Sequence, residues 1–233
     1  MATTAILTGQ AEHHLCSAAA AAAVGAPVHR DVVEPFVALQ RAAREAGFDL
    51  QVLSGFRGFD QQRAIWNRKA TGRRVVLDSD ARPIDIATLS ERELVLAILR
   101  WSALPGASRH HWGTDLDVCD RAATPAGYEI ALIPEEVNPG GMFGPLHQWL
   151  DDRIATGDAF GFFRPYDRDR GGVAPERWHL SHGPTAAPLL GGLTPTVLRA
   201  TVEGAGLALE DAVLAMIDDV HRRFVANVNP SCP

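Results

Sequence analysis

Two short segments rich in histidine and carboxylate side chains constrain the fold of this 233-residue chain more than any other feature. In the first, His110 and Asp117 lie on either side of Gly113. If this segment is extended, a turn at the glycine lets the two side chains meet across a hairpin. The second segment contains Glu176 and His179, which share one side only if the chain forms a turn there. A fold that uses both segments in one site must therefore bring distant parts of the chain together.

These residue types are suited to metal-assisted hydrolysis. Two histidines and one carboxylate supply three protein ligands, which leaves the open position that catalytic zinc sites keep. Zinc lowers the pKa of a bound water to about 7, and a nearby carboxylate can then take the proton. In the second segment, one of Glu176 and His179 would bind the metal and the other would contact the water. The alternatives are a structural His–Asp hydrogen bond in the first segment and a surface carboxylate beside a half-buried Trp–His pair in the second.

A third segment supplies a cation at the end of a predicted strand. Phe48, Leu50 and Val52 alternate with polar neighbours, a pattern typical of a strand that leads into Ser54. Arg57 follows at once, and an arginine in this place can clamp a carboxylate or stabilise an oxyanion that develops on a scissile carbonyl. A surface ion pair is the alternative, and for a lone arginine it is the better interpretation.

Together the three segments resemble the VanY-type D-alanyl-D-alanine carboxypeptidases, which belong to a wider group of zinc peptidases that includes lysostaphin-like enzymes. The family patterns are S-G-[YF]-R-S-x-x-x-Q, S-x-H-x-x-G-x-x-x-D and E-x-W-H. The matching residues, in the same order and at the same separations, are Ser54, Gly55, Phe56, Arg57, Gln62, Ser108, His110, Gly113, Asp117, Glu176, Trp178 and His179. The resemblance covers the chain from about Val33 to Ser181. Two departures from the patterns bear on which peptide terminus is accepted, and so on specificity for D-alanyl-D-alanine. Gly58 stands in place of the usual serine, and Arg109 and Asp115 stand where the family often has a smaller or oppositely charged residue.

The resemblance implies roles for eight of the matched residues. It implies a Zn²⁺ cofactor, with the metal ligands His110, Asp117 and His179. Glu176 would be the general base that later protonates the leaving amine, and Arg57 would stabilise the tetrahedral intermediate. The expected substrate contacts are Ser108, Gln62 and Trp178. The implied fold is α+β, a small antiparallel sheet flanked by helices, to which this chain adds a helical C-terminal extension.

The same resemblance predicts a peptide substrate of the peptidoglycan type. A D-alanyl-D-alanine carboxypeptidase that acts through metal-activated water is the leading hypothesis. An L,D-carboxypeptidase, a dipeptidase or an endopeptidase on the same scaffold remains open. So does a non-catalytic zinc-containing binding module, the use that hedgehog proteins make of this scaffold.

Composition excludes other classes of partner. A net charge of −6 and a pI near 5.8 argue against a nucleic-acid binder, and no polybasic cluster or apolar run suits a membrane surface or span. No lysine or arginine precedes Arg30, so a secretory signal is not recognisable. A cytoplasmic location is favoured, with a periplasmic one possible. Cys16, Cys119 and Cys232 are expected to be ordinary thiols.

The pattern along the chain predicts three parts. These are an N-terminal arm (1–30), a zinc peptidase domain (31–185) and a helical C-terminal extension (186–233). Within them, helices are expected at about 33–47, 60–70 and 91–99, with a loop or lid at 71–88 and a strand near 128–133. One amphipathic helix is expected from Leu209 to Phe224, followed by a tail from Asn229 to Pro233.

Overall fold

The computed structural model describes residues 2–230, so Cys232 and the end of the predicted tail lie outside the described residues. Within this range the fold is α+β, as predicted, with an antiparallel four-stranded sheet in the order β1-β2-β4-β3. The strands are β1 (Leu50–Ser54), β2 (Asp115–Asp120), β3 (Phe162–Phe163) and β4 (His179–His182).

Helices flank this sheet on the described part of the chain. They are α1 (Thr4–Leu7), α2 (Ala18–Val24), α3 (Val33–Glu45), α4 (Phe59–Ala70), α5 (Glu91–Leu99), α6 (Pro134–Val137), α7 (Gly144–Thr156), α8 (Gly183–Gly192), α9 (Pro195–Val202), α10 (Glu210–Ala215) and α11 (Ile217–Val220). Short 3₁₀ helices occur at Arg30–Val32, Ile86–Thr88 and Arg109–Trp112, and a π-helical turn occurs at His221–Val225. The predicted helices α3, α4 and α5 are confirmed, and Ser90 and Glu93 form the expected capping box of α5.

The sheet separates an apolar core from a polar face. Successive side chains of a strand point to opposite faces. All residues of β2 are buried, so both faces of this strand are covered. Leu116 and Val118 pack with Phe36 of α3 and Leu146 of α7. Asp115 and Asp117, which alternate with them along β2, are therefore buried on the polar face of the sheet.

Two predicted elements differ in the structure. Residues 128–133 form no strand, because the buried Glu136 carboxylate accepts hydrogen bonds from the backbone N–H groups of Ala131 (2.8 Å) and Leu132 (2.8 Å) that a strand neighbour would otherwise bind. The expected helix from 209 to 224 is interrupted at Met216 (φ −124°), so its apolar stripe is divided among α10, α11 and the π-helical turn. Met216 and its apolar neighbours are still buried in one core cluster.

Both ends of the chain pack against the centre. Leu7 is buried, and its carbonyl accepts a 3.0 Å hydrogen bond from the Trp112 indole, just beside the histidine segment. At the other end, the Trp66 indole of α4 donates to the Ala208 carbonyl at 2.9 Å. The division at residues 30 and 185 stays a prediction, but residues between 2 and 30 contribute to the core, among them Leu7, Val24 and Val28.

Within residues 2–230, each helix is too short or too polar to span a membrane. The compartment in which the chain works stays a prediction.

Candidate metal centre and reaction cleft

The pairing of β2 with β4 places two candidate ligands directly opposite each other. Asp117 pairs with His179, and Asp115 pairs with Ser181. Because the side-chain period of a strand is two, all four side chains lie on the polar face of the sheet. Asp117 Oδ1 lies 3.2 Å from His179 Nδ1. The register of two antiparallel strands thus joins the two distant segments.

His110 reaches the same point from a turn rather than from the extended hairpin that the sequence suggested. It lies in the 3₁₀ helix Arg109–Trp112, which ends at Gly113 with a left-handed φ of +66°. A Cβ atom at Gly113 would lie 2.6 Å from the backbone nitrogen of His29, so a side chain does not fit there. The chain turns at this glycine into β2, and His110 Nε2 comes to 3.4 Å from Asp117 Oδ2.

The three side chains form a buried cluster that can hold a metal ion. His110, Asp117 and His179 each offer a ligand atom, and these atoms lie within 4.8 Å of one another. Two imidazoles and one carboxylate are a donor set that zinc uses in catalytic sites. The second nitrogen of each ring also has an acceptor: the Gly55 carbonyl lies 2.8 Å from His110 Nδ1, and Asp115 Oδ1 lies 2.9 Å from His179 Nε2. The cluster therefore fits zinc both in its donors and in the groups that orient them.

Asp115 is the residue at this centre whose role the sequence interpretation missed. Its side chain is fully buried, and its carboxylate also accepts hydrogen bonds from Arg109 Nε (2.7 Å), Thr114 Oγ1 (2.6 Å) and Ser181 Oγ (3.1 Å). Burial alone would raise the pKa of Asp115, but Arg109 and His179 keep it well below its usual range. Alternation along β2 was the available signal, since a carboxylate two residues before Asp117 must share its face.

The metal-free centre holds a proton on His179. Burial acts to lower its pKa, but the hydrogen bonds and charges of Asp115 and Asp117 outweigh burial and raise the pKa to about 10. Burial acts to raise the pKa of Asp117, yet the adjacent His110 and His179 hold it well below its usual range. The Asp117 carboxylate is thus ionised, and a metal ion would replace the proton on His179 Nδ1.

Glu176 stands at the edge of this cluster. The N–H of His179 donates to the Glu176 carbonyl at 3.0 Å, which closes the turn that places both side chains on one side. Glu176 Oε2 lies 3.5 Å from His179 Nδ1. Burial raises the pKa of Glu176 to about 7 and Asp117 adds to the rise, while His179 and Arg57 oppose it. A carboxylate with this pKa can exchange a proton near neutral pH.

Arg57 is held by its neighbours beside the cluster. Its guanidinium donates to Gln62 Oε1 (2.9 Å) and Ser54 Oγ (3.0 Å), and its backbone N–H donates to the His110 carbonyl (3.1 Å). The Gln62 amide donates in turn to the Ala103 carbonyl at 2.7 Å. Gln62 is fully buried behind Arg57, so the geometry favours a positioning role over the predicted contact with substrate, which stays untested.

A cleft of about 420 Å³ opens over the candidate centre. Ser108 and Trp178, two of the predicted substrate contacts, line this cleft together with Arg57, Glu176 and the candidate ligands. The predicted loop at 71–88 contributes Arg74, Val75 and Leu77 to one wall. The last turn of α4 contributes Lys69, the one lysine of the chain, which the sequence interpretation passed over.

The chain belongs to the VanY family of D-alanyl-D-alanine carboxypeptidases, whose family model matches residues 25–185, more than half of its length. This confirms the resemblance drawn from the three motifs. An uncharacterized protein of Haemophilus influenzae is 38% identical over 102 residues, which are 44% of this chain and 70% of that protein. A second uncharacterized protein of the same organism is 28% identical over 123 residues, 52% of this chain and 92% of its own length. Among solved structures, one described as VanYB in complex with D-Alanine-D-Alanine is 19% identical. The aligned part covers 80% of this chain and 82% of the VanYB chain, with a TM-score of 0.48.

Proposed function

We propose that the chain is a zinc-dependent carboxypeptidase that removes the terminal D-alanine from peptidoglycan-type peptides ending in D-alanyl-D-alanine. The observation that carries this proposal is the buried Glu176 carboxylate, 3.5 Å from His179 Nδ1, beside the cluster of His110, Asp117 and His179. Membership of the VanY family supports the substrate class. Zinc binding by these three side chains is part of the proposal.

When bound there, zinc would supply a water of lowered pKa and polarise the scissile carbonyl. The protein's own part begins with Glu176, which accepts the proton of the attacking water and delivers it to the leaving amine. Arg57 donates to the oxygen that becomes negative in the tetrahedral intermediate. Gln62 and Ser54 hold the Arg57 guanidinium in place. Ser108 and Trp178 form the walls against which the peptide lies.

A non-catalytic binding module is the candidate from another class. Zinc binding alone requires neither a base of matched pKa nor an oriented guanidinium. The buried Glu176 and the doubly bonded Arg57 therefore favour an enzyme. An L,D-carboxypeptidase, a dipeptidase or an endopeptidase differs only in the peptide that the same centre accepts.

The test is release of D-alanine from a stem pentapeptide and from the corresponding tetrapeptide, with the zinc content of each sample measured. We expect the zinc-loaded protein to cleave the pentapeptide, and a chelator to abolish cleavage. Glu176→Gln should keep its zinc and lose at least about 100-fold in kcat, whereas Glu45→Gln, on the exposed end of α3, should behave as the wild type. Failure of the zinc-loaded protein to cleave any stem peptide would refute the substrate assignment. Unchanged turnover in Glu176→Gln would refute the assigned base.

A further inference from the structure

The placement of the chain's one lysine is unusual. Among 22 lysine and arginine residues the chain has a single lysine, Lys69. Most arginines lie on the surface or in ion pairs, whereas Lys69 is 7% exposed and lines the same cleft as Arg57 and Glu176. Its ammonium makes no hydrogen bond or ion pair with any of residues 2–230. The side chain of Lys69 is thus largely buried, while its ammonium lines the cleft without a direct partner among those residues.

Such a cation is costly unless something binds it. Partial removal of an ammonium from water is unfavourable without a partner, and the usual responses are a shifted pKa or a counter-ion. Burial lowers the pKa of Lys69 to about 8, with a further contribution from Arg74, while Glu176 acts in the opposite direction. The group is therefore still charged at neutral pH, and an anion that enters the cleft would gain from pairing with it.

The chemistry of the site selects the ligand. An ammonium has three donors and no acceptor, so its partner must be an acceptor, and an anion is favoured. Arg57 already donates to Gln62 and Ser54, and its place beside Glu176 suits the reacting carbonyl. Lys69 lines the same cleft, which under the proposed function holds a peptide. A carboxylate is the anion that such a peptide carries.

We propose that Lys69 binds a carboxylate of the peptide substrate, in the first place the free α-carboxylate of its C-terminal residue. This inference rests on the proposed peptidase function and deepens it. A receptor for the free C-terminus makes the enzyme an exopeptidase, because an internal peptide bond offers no carboxylate at that position. An acidic side chain of the stem peptide is the other source of the same chemistry, and the experiment separates the two.

The kinetic test compares matched peptides that end in D-alanyl-D-alanine as the free acid or as the C-terminal amide, in zinc-loaded wild type and in Lys69→Met. Methionine keeps the length and the apolar packing of the buried stem while it removes the charge. We expect the wild type to prefer the acid, and Lys69→Met to lose about 10-fold or more of kcat/KM on the acid alone. The loss should appear in KM, since the contact exists before and during the reaction. Lys69→Arg should restore part of the preference for the acid.

Arg68→Met is the matched control, because Arg68 is exposed on the same helix and outside the cleft. It should leave the ratio of acid to amide unchanged. A second pair of peptides carries an acidic stem side chain either as the free acid or as the amide. If Lys69 binds that side chain instead of the C-terminus, the preference for the acid appears in this second pair. Two results together would overturn the inference: the wild type cleaves both members of each peptide pair equally well, and Lys69→Met has no effect. The proposed peptidase function would still stand.

Chemical labelling tests binding without turnover. Lysine-selective acylation can modify only Lys69 and the N-terminal amine of this chain, and mass spectrometry resolves the two. In zinc-loaded Glu176→Gln, N-acetyl-D-alanyl-D-alanine should slow the labelling of Lys69 at least about 5-fold at saturation, and its C-terminal amide should not. Equal protection by acid and amide, or protection by neither, would overturn the inference even if no peptide were hydrolysed.

Discussion

His179 Nε2 lies 2.9 Å from Asp115 Oδ1, so the imidazole presents its Nδ1 edge to Asp117 on the neighbouring strand. The carboxylate that makes this contact is fully buried and is held by Arg109, Thr114 and Ser181. A histidine ligand that donates its second N–H to a carboxylate has a fixed tautomer and ring orientation. The orientation of His179 is thus built into the protein before any metal binds.

Replacing this carboxylate should therefore weaken zinc binding. We expect Asp115→Asn, which keeps the shape but removes the charge, to lower zinc affinity by about 10- to 100-fold. Competition with a chromophoric chelator measures the change. Asp120→Asn is the control, because Asp120 lies in the same strand but bonds to the backbone of Asp49 and Ala122. Equal zinc affinities in wild type and Asp115→Asn would contradict the positioning role.

A second prediction concerns the support of Arg57. Gln62→Met removes the acceptor of the guanidinium at similar side-chain volume, so Arg57 should lose its fixed orientation. We expect kcat to fall by about 10- to 100-fold with zinc content and KM nearly unchanged. Gln61→Met, on the exposed side of α4, should have no such effect. If Gln62→Met instead raised KM and left kcat intact, Gln62 would be a substrate contact, as the motif first suggested.

Activity should depend on pH through Glu176. The base proposed here acts as the carboxylate, and burial is the main reason that the pKa of Glu176 is raised to about 7. Because protonation removes the base, kcat/KM should fall about tenfold per pH unit below that pKa, and a bound divalent cation would move the limb to lower pH. The profile should be measured with zinc occupancy determined at each pH. A profile with no acidic limb down to roughly pH 4 at constant zinc occupancy, close to the pKa of an unperturbed glutamate, would exclude Glu176 as the titrating base.

Zinc binding should release a proton. At neutral pH the pKa of His179, about 10, keeps it protonated in the metal-free protein, while Asp117 is already ionised. Coordination through Nδ1 requires the neutral ring, so about one proton should leave per zinc bound, and affinity should rise with pH below that pKa. Calorimetric titration in two buffers of different ionisation enthalpy counts the protons. A binding enthalpy that is the same in both buffers would contradict this assignment.

Local sequence patterns were sufficient for much of the architecture. The apolar periodicity of α3, the capping box of α5 and the alternation in β1 each depend on neighbouring residues, and the structure agrees with them. The strand expected at 128–133 was wrong because a buried carboxylate from α6, Glu136, binds that backbone. Propensity describes a segment in isolation, and it contains no information about a side chain that arrives from elsewhere.

The candidate site divides in the same way. Sequence by itself determined the family, through the order and spacing of three motifs, and with it the expectation that His110, Asp117 and His179 act together. Only the tertiary structure decided that Asp115 orients His179, that Gln62 lies behind Arg57, and that Lys69 opens into the cleft. The physical reason is that strand register, burial and hydrogen-bond partners are properties of packed neighbours distant in sequence. A motif specifies which groups are present, and packing specifies what each group can reach.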